Sequence, residues 1–159
     1  MTAYEAYTLT IKENKRLSEL EPIIVKDGFY AYSYARDIIK GRWLEAESVI
    51  MQDAYNAYYY SKYVIKGRWL EAEPMLSRNP HYALQYAKDI LKERWPDAEK
   101  RISLSPSAKS DYVSTFFDVA IVTRTEIGDF LWERVNPPGW FAPAMLFNNK
   151  MSLLDMVTE

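Results

Sequence analysis

Apolar positions recur along this chain with the spacing of α-helices, and the same arrangement returns at a fixed interval. Counting from Ala31, small or apolar residues fall at i, i+3, i+4, i+7 and i+8, which is the apolar stripe of one helix face. The stripe begins again at Ala57 and at Ala83, each time 26 residues later. Such repetition is typical of helical repeat proteins, in which each unit buries its apolar face against its neighbours.

Particular residue types mark where each striped helix begins and ends. The residue before each stripe favours a helix N-terminus, because its side chain accepts hydrogen bonds from free backbone N–H groups: Asp27, Asp53 and Asn79. At the other end, Gly41 and Gly67 are predicted to take the left-handed conformation that closes a helix, since glycine adopts it without strain. Glu93 stands in this position in the third copy, which predicts a strained or altered turn there.

A second, shorter helix follows in each copy. Pro96 fits the first position of its helix, whereas Pro74 predicts a helix that begins late or with a tighter first turn. One aromatic residue recurs on the apolar face and is interpreted as a core residue: Trp43, Trp69 and Trp95. A carboxylate also recurs there, at Glu47, Glu73 and Glu99. Since an unpaired buried carboxylate is costly, each must accept hydrogen bonds from backbone N–H groups or from an Arg or Tyr of an adjacent repeat.

These patterns predict an all-α fold, a short α-solenoid of αα-hairpin repeats with a divergent C-terminal cap. The repeat array covers residues 1–104, and its full copies are 27–52, 53–78 and 79–104, preceded by a degenerate copy at 1–26. The period is predicted to stop after residue 104. Residues 105–159 form the cap, which also serves as a recognition segment, with a longer helix at 107–127 and a strand as the alternative there.

The repeated phrases also carry a family resemblance. Gly-Arg-Trp-Leu-Glu-Ala-Glu occurs at 41–47 and 67–73, and Glu-Arg-Trp-Pro-Asp-Ala-Glu follows at 93–99. Tyr-Ala-Arg-Asp-Ile-Ile-Lys-Gly and Tyr-Ala-Lys-Asp-Ile-Leu-Lys-Glu precede two of them. Together they resemble the short αα-hairpin repeats of uncharacterised proteins of tailed bacteriophages. The resemblance covers about residues 15–104 and implies a phage-encoded helical repeat protein, without an activity or a cofactor.

Composition narrows the possible chemistry. The chain has no cysteine and one histidine, His81, which leaves most zinc sites and nucleophile–base pairs without a ligand or base. We expect no metal, no cofactor and no enzymatic activity. No apolar run approaches the length of a membrane span and no basic-then-apolar leader is present, so we expect a cytoplasmic protein without a membrane partner.

Basic residues repeat in three columns, which we call the basic ladder. The first two columns are predicted to face solvent, with the tyrosines at 32, 58, 59 and 63 exposed between them. Cations interleaved with aromatic rings are typical of single-strand nucleic-acid binding, and an acidic protein is the other candidate partner. Against nucleic acid, residues 27–104 carry 12 basic and 11 acidic groups. The columns are Arg36, Lys62 and Lys88; Lys40, Lys66 and Lys92; and Arg42, Arg68 and Arg94.

The C-terminal segment is rich in aromatic residues around a Pro-Pro-Gly turn. We interpret five of them as partner-binding residues, in addition to any capping role: Phe130, Trp132, Trp140, Phe141 and Phe147. The sequence thus predicts a non-enzymatic protein-interaction module, a phage-encoded binder or inhibitor of a host or defence protein. The alternatives are a nucleic-acid-binding repeat protein that uses the basic ladder, and a self-assembling structural protein that forms homo-oligomers.

Overall fold

The computed structural model describes residues 1–117, and within that range the chain is helical, with connecting turns and no β-strand. The predicted all-α fold is therefore confirmed. The α-helices are α1 Ala3–Glu13, α2 Glu21–Ile24, α3 Gly28–Tyr34, α4 Leu44–Ile50, α5 Ala54–Tyr60, α6 Glu73–Leu76, α7 Pro80–Tyr86, α8 Pro96–Ile102 and α9 Pro106–Phe116. Three of them continue into a π-helical turn, at Ala35–Ile39, Ser61–Ile65 and Ala87–Leu91.

The helix starts follow the sequence closely. Asp27 accepts hydrogen bonds from the backbone N–H groups of Phe29 and Tyr30, and Asp53 and Asn79 cap α5 and α7 in the same way. Pro80 and Pro96 occupy the first positions of α7 and α8. The tighter first turn predicted around Pro74 is also confirmed, because a 3₁₀ turn at Leu70–Ala72 precedes α6.

The prediction for the helix ends is wrong by one residue. The left-handed conformation falls on Lys40, Lys66 and Lys92, with φ of 58°, 58° and 57°, and not on the glycines that follow the first two. The π-helical turn places it there, since the N–H of Lys40 bonds to the carbonyl of Ala35, five residues back. The third copy closes with the same φ at Lys92, so the altered turn predicted at Glu93 does not occur.

Each hairpin packs against the next one in sequence order. The first helices form a contiguous row, in which α1 contacts α3, α3 contacts α5, α5 contacts α7 and α7 contacts α9. The shorter helices cover one side of this row, and the core between them contains Trp43, Trp69 and Trp95, as predicted. This serial packing gives every repeat position an equivalent in its neighbours.

The repeated positions continue past residue 104. Ser105 caps α9 as Asp53 caps α5, and Tyr112 lies 26 residues after Tyr86 and is fully buried. The helix predicted at 107–127 ends at Phe116, since Phe117 is extended. Residues 118–127 of that prediction lie outside the described residues.

Candidate interaction surface

A tyrosine on the core side of each first helix joins two consecutive repeats. The hydroxyl of Tyr60 donates to Glu47 Oε1 at 3.0 Å and accepts the backbone N–H of Trp43 at 2.7 Å. Arg42 holds the same carboxylate through two hydrogen bonds of 2.8 and 2.7 Å. We call this arrangement of an arginine, a carboxylate, a tyrosine and a backbone N–H the tyrosine latch.

The tyrosine latch occurs at every junction from the first repeat to α9. Its remaining copies consist of Arg16, Leu17, Glu21 and Tyr34; Arg68, Trp69, Glu73 and Tyr86; and Arg94, Trp95, Glu99 and Tyr112. The predicted bonding of the recurring carboxylates to Arg and Tyr is therefore found, with the arginine from the same repeat and the tyrosine from the next one; Glu99 is buried and the other three carboxylates are half-buried. Burial is the main cause that raises the pKa of Tyr34 and of Tyr86 from 10.0 to about 12.

Two columns of the basic ladder are occupied by internal ion pairs. The arginine column belongs to the tyrosine latches, where Arg94 holds Glu99, a carboxylate that is 2% exposed. In the first column, Arg36 pairs with its neighbour Asp37, and the other two reach the following first helix of the row: Lys62 to Asp89 at 2.8 Å and Lys88 to Asp111 at 2.9 Å. These cations stabilise the fold and offer little unpaired charge to a ligand.

The second column of the basic ladder consists of the left-handed residues at the helix ends. Lys40, Lys66 and Lys92 are exposed, and within residues 1–117 no salt bridge involves them. Of the nine cations in the basic ladder, these three are therefore the ones left without an ion pair in the described part of the chain.

The tyrosines predicted to be exposed divide into two groups. Tyr32 and Tyr58 are 2% and 3% exposed, so this prediction is wrong for both. They are buried because they face the neighbouring repeat: Tyr58 donates its hydroxyl to Asp89, and the Tyr32 ring stacks on Tyr59 at 6.3 Å. Tyr63, in contrast, is 47% exposed, as predicted, and Tyr59 is half-buried.

The outer side of the second full repeat forms a continuous aromatic surface. Tyr55, Tyr59 and Tyr63 follow each other at four-residue intervals along one helix, with ring centroids 4.6 and 5.9 Å apart. Phe29 extends the row from the preceding repeat, 6.2 Å from Tyr55, and Tyr82 extends it into the following repeat, 6.1 Å from Tyr55. We call these five residues the tyrosine face.

The tyrosine face can be found by comparing equivalent positions of the repeats, but not from the positions of the basic residues alone. Positions equivalent to Tyr63 hold Asp37 and Asp89, and each of these accepts a hydrogen bond from a tyrosine of the preceding helical unit. Tyr63 makes no such bond, and the Tyr32 hydroxyl accepts from Arg36 instead. The junction between α3 and α5 thus lacks the bond found at the junctions on either side of it, and exposes an aromatic ring in its place.

A second kind of concave surface lies along the shorter helices. Two equivalent grooves, of about 250 and 220 Å³, open beside Pro22 and Pro74, where the helices are only four residues long. Trp43 and Trp95 form parts of their walls, and the exposed Leu70 lies at the rim of the second. These grooves are shallow, and the carboxylates of Glu21 and Glu73 that line them are already held by the latches.

The other candidate features lie outside the described residues or form no binding site within them. The five aromatic residues of the C-terminal segment, from Phe130 to Phe147, lie outside residues 1–117. Within that range, no three His, Asp or Glu side chains are close enough together to hold a metal ion. His81 is exposed with its ring against Tyr82. None of the helices described here combines the length and the apolar character needed to cross a membrane.

The fold and this surface define an all-α protein of sequentially packed helical hairpins that are joined by tyrosine latches. No family model, curated protein or solved structure matches the chain.

Proposed function

We propose that this protein is a non-enzymatic interaction module, a helical repeat scaffold that binds another protein. The observation that carries the proposal is the tyrosine face, in which Tyr59 and Tyr82 pack partly against the core while Phe29, Tyr55 and Tyr63 are exposed to solvent. Tyrosine is enriched in protein interfaces because it buries a large ring at a low entropic cost and keeps a hydroxyl for hydrogen bonding. Within residues 1–117, the tyrosine face is therefore the surface that we assign to the partner.

The position of Tyr63 supports this choice. A repeat protein keeps the residues that hold its units together, and the flanking repeats have aspartate in this position. Tyr63 replaces a carboxylate that would accept a hydrogen bond across the junction, and 47% of the residue is exposed to solvent. A residue that removes a stabilising bond and exposes an aromatic ring is more readily explained by recognition than by folding.

The narrower proposal concerns the source and the partner. The resemblance of the repeats to those of tailed bacteriophages favours a phage-encoded protein that acts in the bacterial cytoplasm on a host or defence protein. The aromatic residues Phe130, Trp132, Trp140, Phe141 and Phe147 would supply a second contact to the same partner. Two contact regions on one chain raise the affinity above that of either region alone.

Nucleic-acid binding is the alternative function, and three residues carry it. Lys40, Lys66 and Lys92 are exposed at equivalent positions without an ion pair among the residues described. Three phosphate contacts supply a weak affinity that falls steeply with salt. Self-assembly is the other alternative, in which the tyrosine face contacts a second copy of the chain.

The test is capture of proteins from a bacterial lysate by the tagged full-length chain, after nuclease treatment and in about 0.5 M salt. The key variant is Tyr59→Gln/Tyr63→Asp, which places in the middle repeat residues that its neighbours have in the same columns. We expect this variant to fold, because the introduced aspartate reproduces a flanking repeat, and to lose the captured protein.

The matched control is Leu44→Gln/Leu70→Gln, which changes two residues that are 67% and 62% exposed on the shorter helices. It should capture the same protein as the wild type. Capture that persists in the tyrosine variant would contradict the assignment of the surface. Recovery of nucleic acid alone, lost at high salt or on replacing the three lysines by glutamate, would support the alternative function instead.

A further inference from the structure

The rings of the tyrosine face are spaced as a row of stacking sites. Tyr59 and Tyr63 lie nearly parallel, with an interplanar angle of 8° and centroids 5.9 Å apart, while Tyr55 is tilted by 56° against Tyr59. Eight residues of helix separate Tyr55 from Tyr63, a rise of about 12 Å. This length accommodates one turn of a polyproline II helix, which advances about 9 Å every three residues.

The hydroxyl groups of the same three tyrosines are available to a ligand. Within the described residues, no hydrogen bond involves the hydroxyl of Tyr55, Tyr59 or Tyr63, in contrast to the latch tyrosines. The face therefore combines ring surfaces with O–H donors. A proline-rich segment presents the complementary groups, since its carbonyls make no internal hydrogen bonds and proline has no N–H that would need an acceptor.

The charge at the face also favours an uncharged ligand. The ammonium group of Lys62 lies 5.7 Å from the ring centroid of Tyr63 and 5.4 Å from that of Tyr58. It is already neutralised by Asp89 at 2.8 Å. Arg36, which lies over the ring of Tyr32, is likewise paired with Asp37. An acidic peptide or a phosphate backbone would find these cations occupied, whereas an uncharged segment does not need them.

We infer that the tyrosine face binds an uncharged, proline-rich segment of the partner protein in the polyproline II conformation. The inference rests on the proposed function and adds the chemistry of the partner. Aromatic-lined surfaces recognise such segments in other folds because the extended conformation is preformed and loses little entropy on binding. Proline rings would then pack on the solvent-exposed surfaces of the tyrosine rings while the hydroxyls donate to the carbonyls of the segment.

The test uses the full-length chain and two synthetic peptides, decaproline and an alternating Gly-Ser peptide of the same length, titrated by calorimetry. We expect decaproline to bind and the Gly-Ser peptide not to bind. Tyr59→Gln/Tyr63→Asp should weaken decaproline binding at least about tenfold, the effect typical of losing an aromatic contact residue. The control Leu44→Gln/Leu70→Gln should stay within about twofold, and so should the wild type between low and high salt.

Failure of the inference is distinguishable from failure of the proposed function. If decaproline does not bind, or binds the tyrosine variant equally well, the inference is overturned, even where lysate capture still requires Tyr59 and Tyr63. Binding of an oligothymidylate that depends on these tyrosines would replace the proline-rich segment by a nucleic acid. Self-association that disappears in the tyrosine variant, measured by sedimentation, would replace it by a second copy of the chain.

Discussion

At the scale of single residues, the tyrosine latch concentrates several functions in one hydroxyl. Tyr60 contacts Trp69 of its own repeat with its ring, at 5.0 Å, and binds Glu47 and the Trp43 N–H of the preceding repeat with its hydroxyl. The bond to the backbone fixes where the shorter helix begins, because Trp43 is the residue that precedes α4. The hydroxyl thus connects α5 with α4, and the ring connects α5 with the segment that begins at Trp69.

The first prediction is that Tyr60→Phe lowers the free energy of unfolding by about 1–3 kcal/mol, because the Trp43 N–H is left without its partner in a buried site. Tyr63→Phe serves as the control. Its hydroxyl makes no hydrogen bond in the described part of the chain, so we expect a change within about 0.5 kcal/mol. Urea unfolding of both variants provides the measurement, and an equal loss in both would contradict the latch.

Single residues also show which contacts can be predicted from the sequence. The recurrence of Glu47, Glu73 and Glu99 on an apolar face is sufficient to predict that each accepts hydrogen bonds from backbone N–H groups or from an Arg or Tyr. It is not sufficient to predict which tyrosine, since that depends on the packing of one repeat on the next. For the same reason, the prediction that Tyr32 and Tyr58 are exposed is wrong: helix periodicity places them away from their own repeat, and the neighbouring repeat covers them.

At the scale of the helical elements, the π-helical turn is the feature that the sequence does not reveal. α1 lacks such a turn, and its left-handed cap Asn14 follows its N-cap Thr2 one residue sooner than Lys40 follows Asp27. With this extra residue the left-handed position falls on Lys40, one residue before Gly41. Glycine therefore marks the correct turn but the wrong residue.

The second prediction tests this shift. Lys66→Gly should raise the free energy of unfolding by about 0.5–1 kcal/mol, because a left-handed lysine is strained and glycine is not. Gly67→Ala should leave stability unchanged or slightly higher, since a Cβ at Gly67 meets no atom within 4 Å. Thermal unfolding of the two variants shows whether residue 66 or residue 67 is the left-handed one. A Lys66→Gly variant no more stable than the wild type, with a strongly destabilised Gly67→Ala, would restore the glycine as the left-handed residue.

At the scale of the whole molecule, the same buried tyrosine recurs in successive repeats, so its effect on the pH dependence of stability also recurs. The latch tyrosines are buried one after another along the row of hairpins, and Tyr58 is buried and Tyr7 half-buried between the same units, so these tyrosines share one response to pH. Burial is the largest cause that raises the pKa of Tyr7, Tyr34, Tyr58 and Tyr86, each to about 12 from the ordinary 10.0. Hydrogen bonding of Tyr7 to Asp37 and of Tyr58 to Asp89 raises the pKa further.

The third prediction is cooperative unfolding in alkali. A tyrosine in the unfolded chain ionises near pH 10, whereas the buried ones hold their protons to about pH 12. Their contribution is therefore fully present below pH 10 and is lost as the pH rises from 10 to 12. Circular dichroism and tyrosinate absorbance should change together in that window. Ionisation of all tyrosines without loss of helix would contradict it.

The helical class and its serial units can be predicted from the sequence, because the apolar stripe and the capping residues recur at the same interval. The candidate site can be predicted only in part. Six cations of the basic ladder are paired, and their carboxylate partners lie on adjacent residues or neighbouring elements that a column comparison does not connect. Tyr63 can be found by comparing the three repeats position by position, where it alone replaces an aspartate.

The most direct test of the latch and the face is a nitration map of the native full-length chain, treated with tetranitromethane and read by mass spectrometry. Two sets of tyrosines differ in burial: the latch tyrosines are fully buried, whereas Tyr55 and Tyr63 of the tyrosine face are 37% and 47% exposed. We predict rapid nitration of Tyr55 and Tyr63, and nitration of the latch tyrosines only after unfolding: Tyr34, Tyr60, Tyr86 and Tyr112. Native nitration of the latch tyrosines, or protection of Tyr63 in the isolated chain, would contradict this division.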